Sequence, residues 1–150
     1  MPGGVSIEIK VDDAAVVSAI KRAIKRGDDF RPALREVGER LTAATLHRFD
    51  TTTASDGTAW KPLAASTLAA KARTGDSSNI LIRTGRMRRS IHPVVRAKEV
   101  EIGTNIKSKT GFPYPVAMQF GTSHGVPARP WLGVDSSDER RIISIFLKHL

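Results

Sequence analysis

Apolar residues recur every four positions at the two ends of this chain and lose that period in between. Val16, Ile20 and Ile24 share one helical face, with Val17 beside them and Lys21, Arg22, Lys25 and Arg26 opposite. Gly27 ends that helix. Phe30, Leu34, Val37 and Leu41 form the stripe of a longer second helix. Asp28-Asp29 caps it, and Pro32 falls in the first turn, where no backbone donor is lost. Glu36 and Arg40 are spaced to pair across one turn, and Phe49 closes the helix near Asp50. At the far end Ile142, Phe146 and Leu150 repeat, with Ile143 and Leu147 alongside, behind a capping box of Ser136 and Glu139. Near the start, Val5, Ile7, Ile9 and Val11 alternate with Ser6, Glu8 and Lys10, which predicts a half-buried strand. Asp12-Asp13 then offers a cap for the first helix.

The middle is broken by turn residues. Asp56-Gly57 is a turn. An Ala-rich helix over Ser66–Arg73 is stopped by Gly75, and Asp76–Asn79 is polar loop before the apolar run Ile80-Leu81-Ile82. Thr84 is placed to cap a short helix with Met87 and Ile91 on one face, and Arg86 and Arg89 on another. Val94–Ala97 and Val100–Ile102 predict a hairpin turning at Lys98-Glu99. Pro115–Phe120 is a short helix stopped by Gly121, and Thr122–Pro130 is an extended stretch stiffened by Pro127 and Pro130. The expectation is one α+β domain over residues 1–150: a small antiparallel or mixed sheet packed against amphipathic helices, with long irregular loops. The loops at about 51–62 and 105–113 are expected to be mobile or interface-forming.

Charge and composition narrow the function. The chain carries 24 Lys and Arg against 15 Asp and Glu, a net charge of +9. Residues 51–110 hold 11 of the basic side chains and 4 of the acidic ones, so most of the excess lies there. It is densest at Arg83, Arg86, Arg88 and Arg89, with Lys107 and Lys109 on the loop that follows. Such a patch attracts polyanions and acidic protein surfaces alike. The chain has no Cys, which excludes disulfides, a thiolate zinc site and a Cys nucleophile. No apolar run approaches the ~18 residues of a membrane span. Met1-Pro2-Gly3-Gly4 lacks a leader pattern, so a cytosolic protein, or one released only by lysis, is expected. No phosphate loop, nucleophile elbow, zinc helix or dinucleotide fingerprint occurs. His47, His92, His124 and His149 are scattered, and Asp56 lacks the companion acids of a calcium loop. No cofactor, metal or catalytic group is expected, although a nuclease using a few dispersed acids leaves no spacing to find.

Three segments stand out. Asp56-Gly57-Thr58-Ala59-Trp60-Lys61-Pro62-Leu63 reads as a turn followed by a core-plugging Trp, or by a clasp on a loop or neighbouring subunit; the ~200 Å² that a Trp buries favours the core. Ile80 to Ile91 reads as a short helix with a solvated basic face, or as a basic contact surface. Val116-Ala117-Met118-Gln119-Phe120-Gly121 with Pro127-Ala128-Arg129-Pro130-Trp131-Leu132-Gly133 reads either as a rigid surface loop with Trp131 in the core, or as an arm presented to another subunit.

In order and spacing these segments resemble the phage virion morphogenesis, or tail completion, family of Mu-like phages and related prophages. The matching positions are Asp56, Gly57, Trp60, Pro62 and Leu63; Ser66, Thr67 and Lys71; Leu81, Thr84 and Gly85; Gln119, Phe120 and Gly121; and Pro127 to Gly133. Met118 stands where the family pattern has His, and Met87 where it has Leu. The resemblance implies a non-enzymatic structural protein of the virion tail or neck, assembled in the host cytoplasm, that completes the tail and joins it to the head. It implies a homo-oligomeric ring of about six copies, which needs a heterologous, closing interface. Implied partners are further copies of the chain, tail terminator or tube proteins and head–tail connector proteins, close to packaged DNA and away from membranes. Interface residues expected on this reading are Trp60, Arg83, Arg86, Arg88, Arg89, Lys107, Lys109, Gln119, Phe120, Arg129 and Trp131. A strongly basic wall would slow DNA sliding past it, so the Arg83–Arg89 patch is expected to meet acidic protein surface rather than DNA. The alternatives are a basic DNA-binding protein of phage or prophage origin, using the patch from Arg83 to Arg96, and a metal-dependent hydrolase.

Overall fold

A computed structural model of the chain describes residues 14–150. The strand expected over 5–11 and the Asp12-Asp13 cap lie outside the described residues. In chain order come α1 (Ala14–Arg26), α2 (Arg31–Thr51), α3 (Ala65–Thr74), α4 (Arg86–Ser90), β1 (His92–Val95), β2 (Val100–Gly103), α5 (Tyr114–Phe120) and α6 (Ser136–His149). This is the α+β class expected, with a two-stranded antiparallel sheet among the described residues.

The long helix α2 is the spine. It packs against the β1–β2 hairpin on one side and against α6 on another. Ala33, Val37 and Leu41 meet Ile142 and Ile145 of α6 in one buried cluster. Farther along, Phe49 enters a second cluster with Ala54, Trp60, Met87, Ile91, Trp131 and Leu132. The joint between the clusters is polar: Arg48, at helical spacing from Leu41 and Thr45, donates from Nη1 to the Gly133 carbonyl at 2.8 Å and from Nη2 to the Asp138 carboxylate at 3.0 Å. Both partners of that ion pair are buried. Such a pair stabilises little by itself, but removing one partner strands a charge and costs about 3–5 kcal/mol.

Several expectations shift by a residue or change partner. The cap of α6 is Asp135 with Asp138, not Ser136 with Glu139: Asp138 N donates to Asp135 Oδ1 at 2.7 Å, and Asp135 N to Asp138 Oδ2 at 3.1 Å. Asp138 lies on the same buried helical line as Ile142 and Ile145, so the same carboxylate also reaches Arg48. That line buries Ile145 and leaves Leu147 exposed. In α1 the buried line is Val16 and Ala23, and Ile24 faces solvent. Thr84 does not cap α4; Gly85 stands at the N-cap with no side-chain bond. Glu36 reaches Lys148 and His149 of α6, at 2.6 and 2.8 Å, rather than Arg40. Lys148 foremost, then His149, holds the Glu36 carboxyl below its ordinary range. At the head of α2, Phe30 is the cap residue, and Asp29 accepts from the backbone N–H of Arg31 at 3.1 Å. The hairpin begins at His92 and runs through Pro93, pairing His92 with Gly103 and Val95 with Val100. Pro is tolerated there because a two-stranded sheet is all edge.

Gly38 sets how closely α2 approaches that hairpin. A Cβ at this position would lie 2.8 Å from Pro93 Cβ and 2.9 Å from Val100 Cγ2. Gly38→Ala gains about 1 kcal/mol of helix propensity. Overpacking a filled contact costs about 1–3 kcal/mol. The net expectation is a loss of stability of about 1 kcal/mol, read as a lower urea midpoint; a raised midpoint would contradict the close approach.

Candidate functional site

The residues expected at an interface fall into two groups in space, one inward and one outward. The inward group is a clasp between the segment after the Asp56-Gly57 turn and the Pro-rich arm. Residues 52–60 form a tight closed loop: Trp60 N donates to Thr52 O at 2.8 Å and Ala54 N to Thr58 O at 2.9 Å, with Thr53 bridged to Ala59. Asp56 accepts from Thr58 N at 2.9 Å, completing the turn expected there. The loop delivers Trp60 edge-on to Phe49, ring centroids 5.6 Å apart and 87° between planes.

Three side chains then tie that segment, α5 and the arm through backbone carbonyls. Trp60 Nε1 donates to Pro130 O at 2.8 Å. In the reverse direction Arg129 donates from Nε to Lys61 O at 2.8 Å and from Nη2 to Pro62 O at 3.0 Å. Trp131 is fully buried, 6.5 Å from Phe49 by ring centroids, and donates from Nε1 to Pro115 O at 2.9 Å. The carbonyls of Lys61, Pro62 and Pro130 belong to or adjoin Pro-broken stretches that form no ladder, so a side chain supplies the partner, while Pro115 O belongs to the first turn of α5. Burial pushes the Arg129 guanidinium below its usual range.

Gln119 completes the clasp by imitating a strand. Its Oε1 accepts from Trp131 N at 3.1 Å and Leu132 N at 2.9 Å, and its Nε2 donates to Leu132 O at 2.9 Å. Two N–H groups aimed at one atom identify it as the oxygen. Trp60 is thus core and clasp together, holding the loop to the arm of its own chain. Trp131 and Arg129 are buried and so belong to the rigid-loop reading of the arm. Lys71, one of the motif positions, donates to Asn79 O and Ile82 O, both at 3.0 Å, and so pins the Ile80–Ile82 run to α3.

The outward group is the basic patch and Phe120. The patch is thinner than the sequence suggests. Arg83 pairs with Asp76 and Arg88 with Asp50, each at 3.0 Å. Arg86 donates to Lys107 O at 3.2 Å and Arg89 to Thr84 O at 3.0 Å, bonds that orient the guanidinium groups without neutralising them. The Arg86 bond also brings α4 against the loop that carries Lys107 and Lys109. That loop closes on itself through Ser108 N to Phe112 O and Gly111 N to Ser108 O, each at 2.9 Å. Phe112 is half exposed, and Phe120, the last residue of α5, is 68% exposed.

A groove of about 470 Å³ lies between α2, the 52–57 turn and the start of α6. Sequence reasoning missed it, along with the Arg48–Asp138 pair; the available signal was an Arg on the buried line of α2. Among the described residues no group of three or more His, Asp and Glu is placed to hold a metal ion. None of the described helices is long and apolar enough to cross a membrane.

A scaffold closed by side-chain-to-carbonyl clasps, with its distinctive residues either locking loops or facing outward, has the character of an assembly protein. A family model for phage virion morphogenesis matches residues 11–150, and the chain belongs to that family. Comparisons with curated proteins and with solved structures gave no significant match.

Replacing Gln119 by Glu tests the clasp with an isosteric change. At neutral pH a carboxylate oxygen would face Leu132 O where a donor now stands. The expected loss is about 2 kcal/mol, the cost of an unsatisfied buried group. A protonated carboxyl can donate again, so the folded state of the variant raises the Glu pKa, and the penalty shrinks as pH falls through that raised value. Equal urea midpoints for Gln119→Glu and wild type at pH 7 would contradict the assignment.

Proposed function

We propose that this member of the phage virion morphogenesis family is a non-catalytic structural subunit that forms a ring in the neck region, completing the tail and joining it to the head. The observation that carries the reading is the fate of the motif residues. Trp60, Gln119, Arg129 and Trp131 are consumed in holding two irregular segments together, and none of them lines the groove between α2, the 52–57 turn and the start of α6. A catalytic constellation would instead leave polar groups converging on open space. What reaches solvent is a set of cations and two aromatic rings, Phe112 and Phe120, the chemistry of contact rather than reaction.

Arg86, Arg89, Lys107 and Lys109 form the part of the basic surface that faces a partner. Arg83 and Arg88 are paired within the chain and contribute less field. The partner of this surface is acidic protein, such as a connector or tube subunit. Exposed Phe112 at the edge of the cations favours that choice over duplex DNA, whose bases are stacked away from such a ring. A DNA-binding role is the second reading, favoured by the same cations. It requires affinity that falls steeply with salt, with a log–log slope near −4 for about four phosphate contacts.

The double charge reversal Arg86→Glu/Arg89→Glu is expected to leave the fold intact, since both side chains are exposed, and to abolish docking to the neighbouring neck component. Pull-down of assembled heads and tails, with yield of joined particles, reads the effect. Normal joining by the double variant would contradict the assignment, and a steep salt slope on duplex DNA would replace acidic protein with DNA as the partner.

A further inference from the structure

We propose that Phe120 is the plug of a head-to-tail contact between copies of this chain, and that the groove between α2, the 52–57 turn and the start of α6 is its socket. The proposal rests on the ring reading and adds which two surfaces meet.

Phe120 is unusual in being exposed and immobilised together. Its ring is 68% exposed, the most open large apolar side chain among the described residues. Burying such a ring is favourable, so leaving it in water is costly unless something covers it. The backbone on both sides is locked. Gly121 N donates to Ala117 O and Arg129 N to Met118 O, both at 2.7 Å, while the Gln119 side chain is bonded to Trp131 and Leu132. Gly121 itself sits at φ +73, and a Cβ there would lie 2.8 Å from Val126 O and 2.9 Å from Ala128 N. The chain thus uses a Gly, a Gln and the Pro-rich arm to hold one aromatic ring outward. An aromatic anchor on a rigid base loses little entropy on binding, and such residues dominate interfaces.

The groove has the complementary character. Its volume of about 470 Å³ falls in the range of pockets that enclose a substantial organic group, ample for one phenyl ring and its flanking backbone. Ala43, Ala44 and Ala54 line it with small apolar side chains, and Arg40 and Arg141 supply cationic groups. Guanidinium groups beside an aromatic face are attracted by its electron-rich surface. Asp135 and Asp138 line the same groove, which disfavours a polyanion as the occupant.

No residue of α5 or of the 122–130 arm lines the groove. Plug and socket are therefore different patches, each copy offering one of each. A contact between two different patches is heterologous, and it propagates until rotation closes it into a ring.

The absence of Cys allows a clean test. Ser123→Cys places a thiol beside Phe120 on an exposed turn, and Ala43→Cys places one in the groove. In the double variant a short bis-maleimide is expected to give a ladder of covalent multimers that stops at the ring size. Each single variant stays monomeric on the denaturing gel. Adding Phe120→Asp removes the ladder and lowers the apparent association constant at least tenfold, while Phe120→Leu keeps both. A ladder that survives Phe120→Asp, or efficient dimers from Ser123→Cys alone, overturns the plug-and-socket assignment. Sedimentation of the wild type separates the two levels: an assembled wild type without the ladder defeats this pairing only, whereas a monomer at all concentrations defeats the ring reading with it.

Discussion

The interaction on which the rest depends is the exchange of hydrogen bonds between two irregular strands of chain around Phe49. The 60–62 segment gives an indole N–H to the arm, and the arm returns a guanidinium to the segment. Neither stretch forms a ladder with the other, because Pro62, Pro127 and Pro130 lack backbone donors. Side chains do the work of a sheet, and their apolar parts are at the same time the second core cluster. Packing and polar satisfaction are thus inseparable here, so that a lost bond also opens the core.

Around that clasp, α2 distributes constraint to the remainder of the fold. Its N-terminal half seats α6, Gly38 admits the hairpin, and Arg48 ties the end of the arm at Gly133 to the start of α6 at Asp138. The outward features inherit this rigidity. Phe120 is presented by the arm, Arg86 and Arg89 by a short helix whose Met87 is buried beneath it, and the groove by α2 and α6. A phage assembly protein needs surfaces that keep their shape in isolation and while neighbours dock, and preorganisation of this kind lowers the entropy lost at each step.

Periodicity made the helices readable, and motif order made the family readable before any coordinate. Residues that satisfy a local pattern came through best: the α2 stripe, the Asp56-Gly57 turn, the hairpin and Gly121. What stayed hidden was decided by partners far along the chain. Asp135 displaces Ser136 as the cap because Asp138 also answers Arg48 across the fold. Glu36 turns from Arg40 to Lys148 and His149 because α6 lies within reach. Arg83 and Arg88 lose their place in the basic patch to Asp76 and Asp50, acids that sequence counting could not assign to them. The exposure of Phe120 follows from how the arm folds back over α5, which no single-residue pattern encodes.

Native-state hydrogen exchange tests the clasp most directly. The indole N–H groups of Trp60 and Trp131 and the amides of Trp131 and Leu132 are expected to exchange only when the whole molecule unfolds, with opening free energies equal to the global stability. Exchange of these protons several kcal/mol below that value, alongside ordinary loop amides, would show that the two segments come apart independently and that the clasp does not hold the fold.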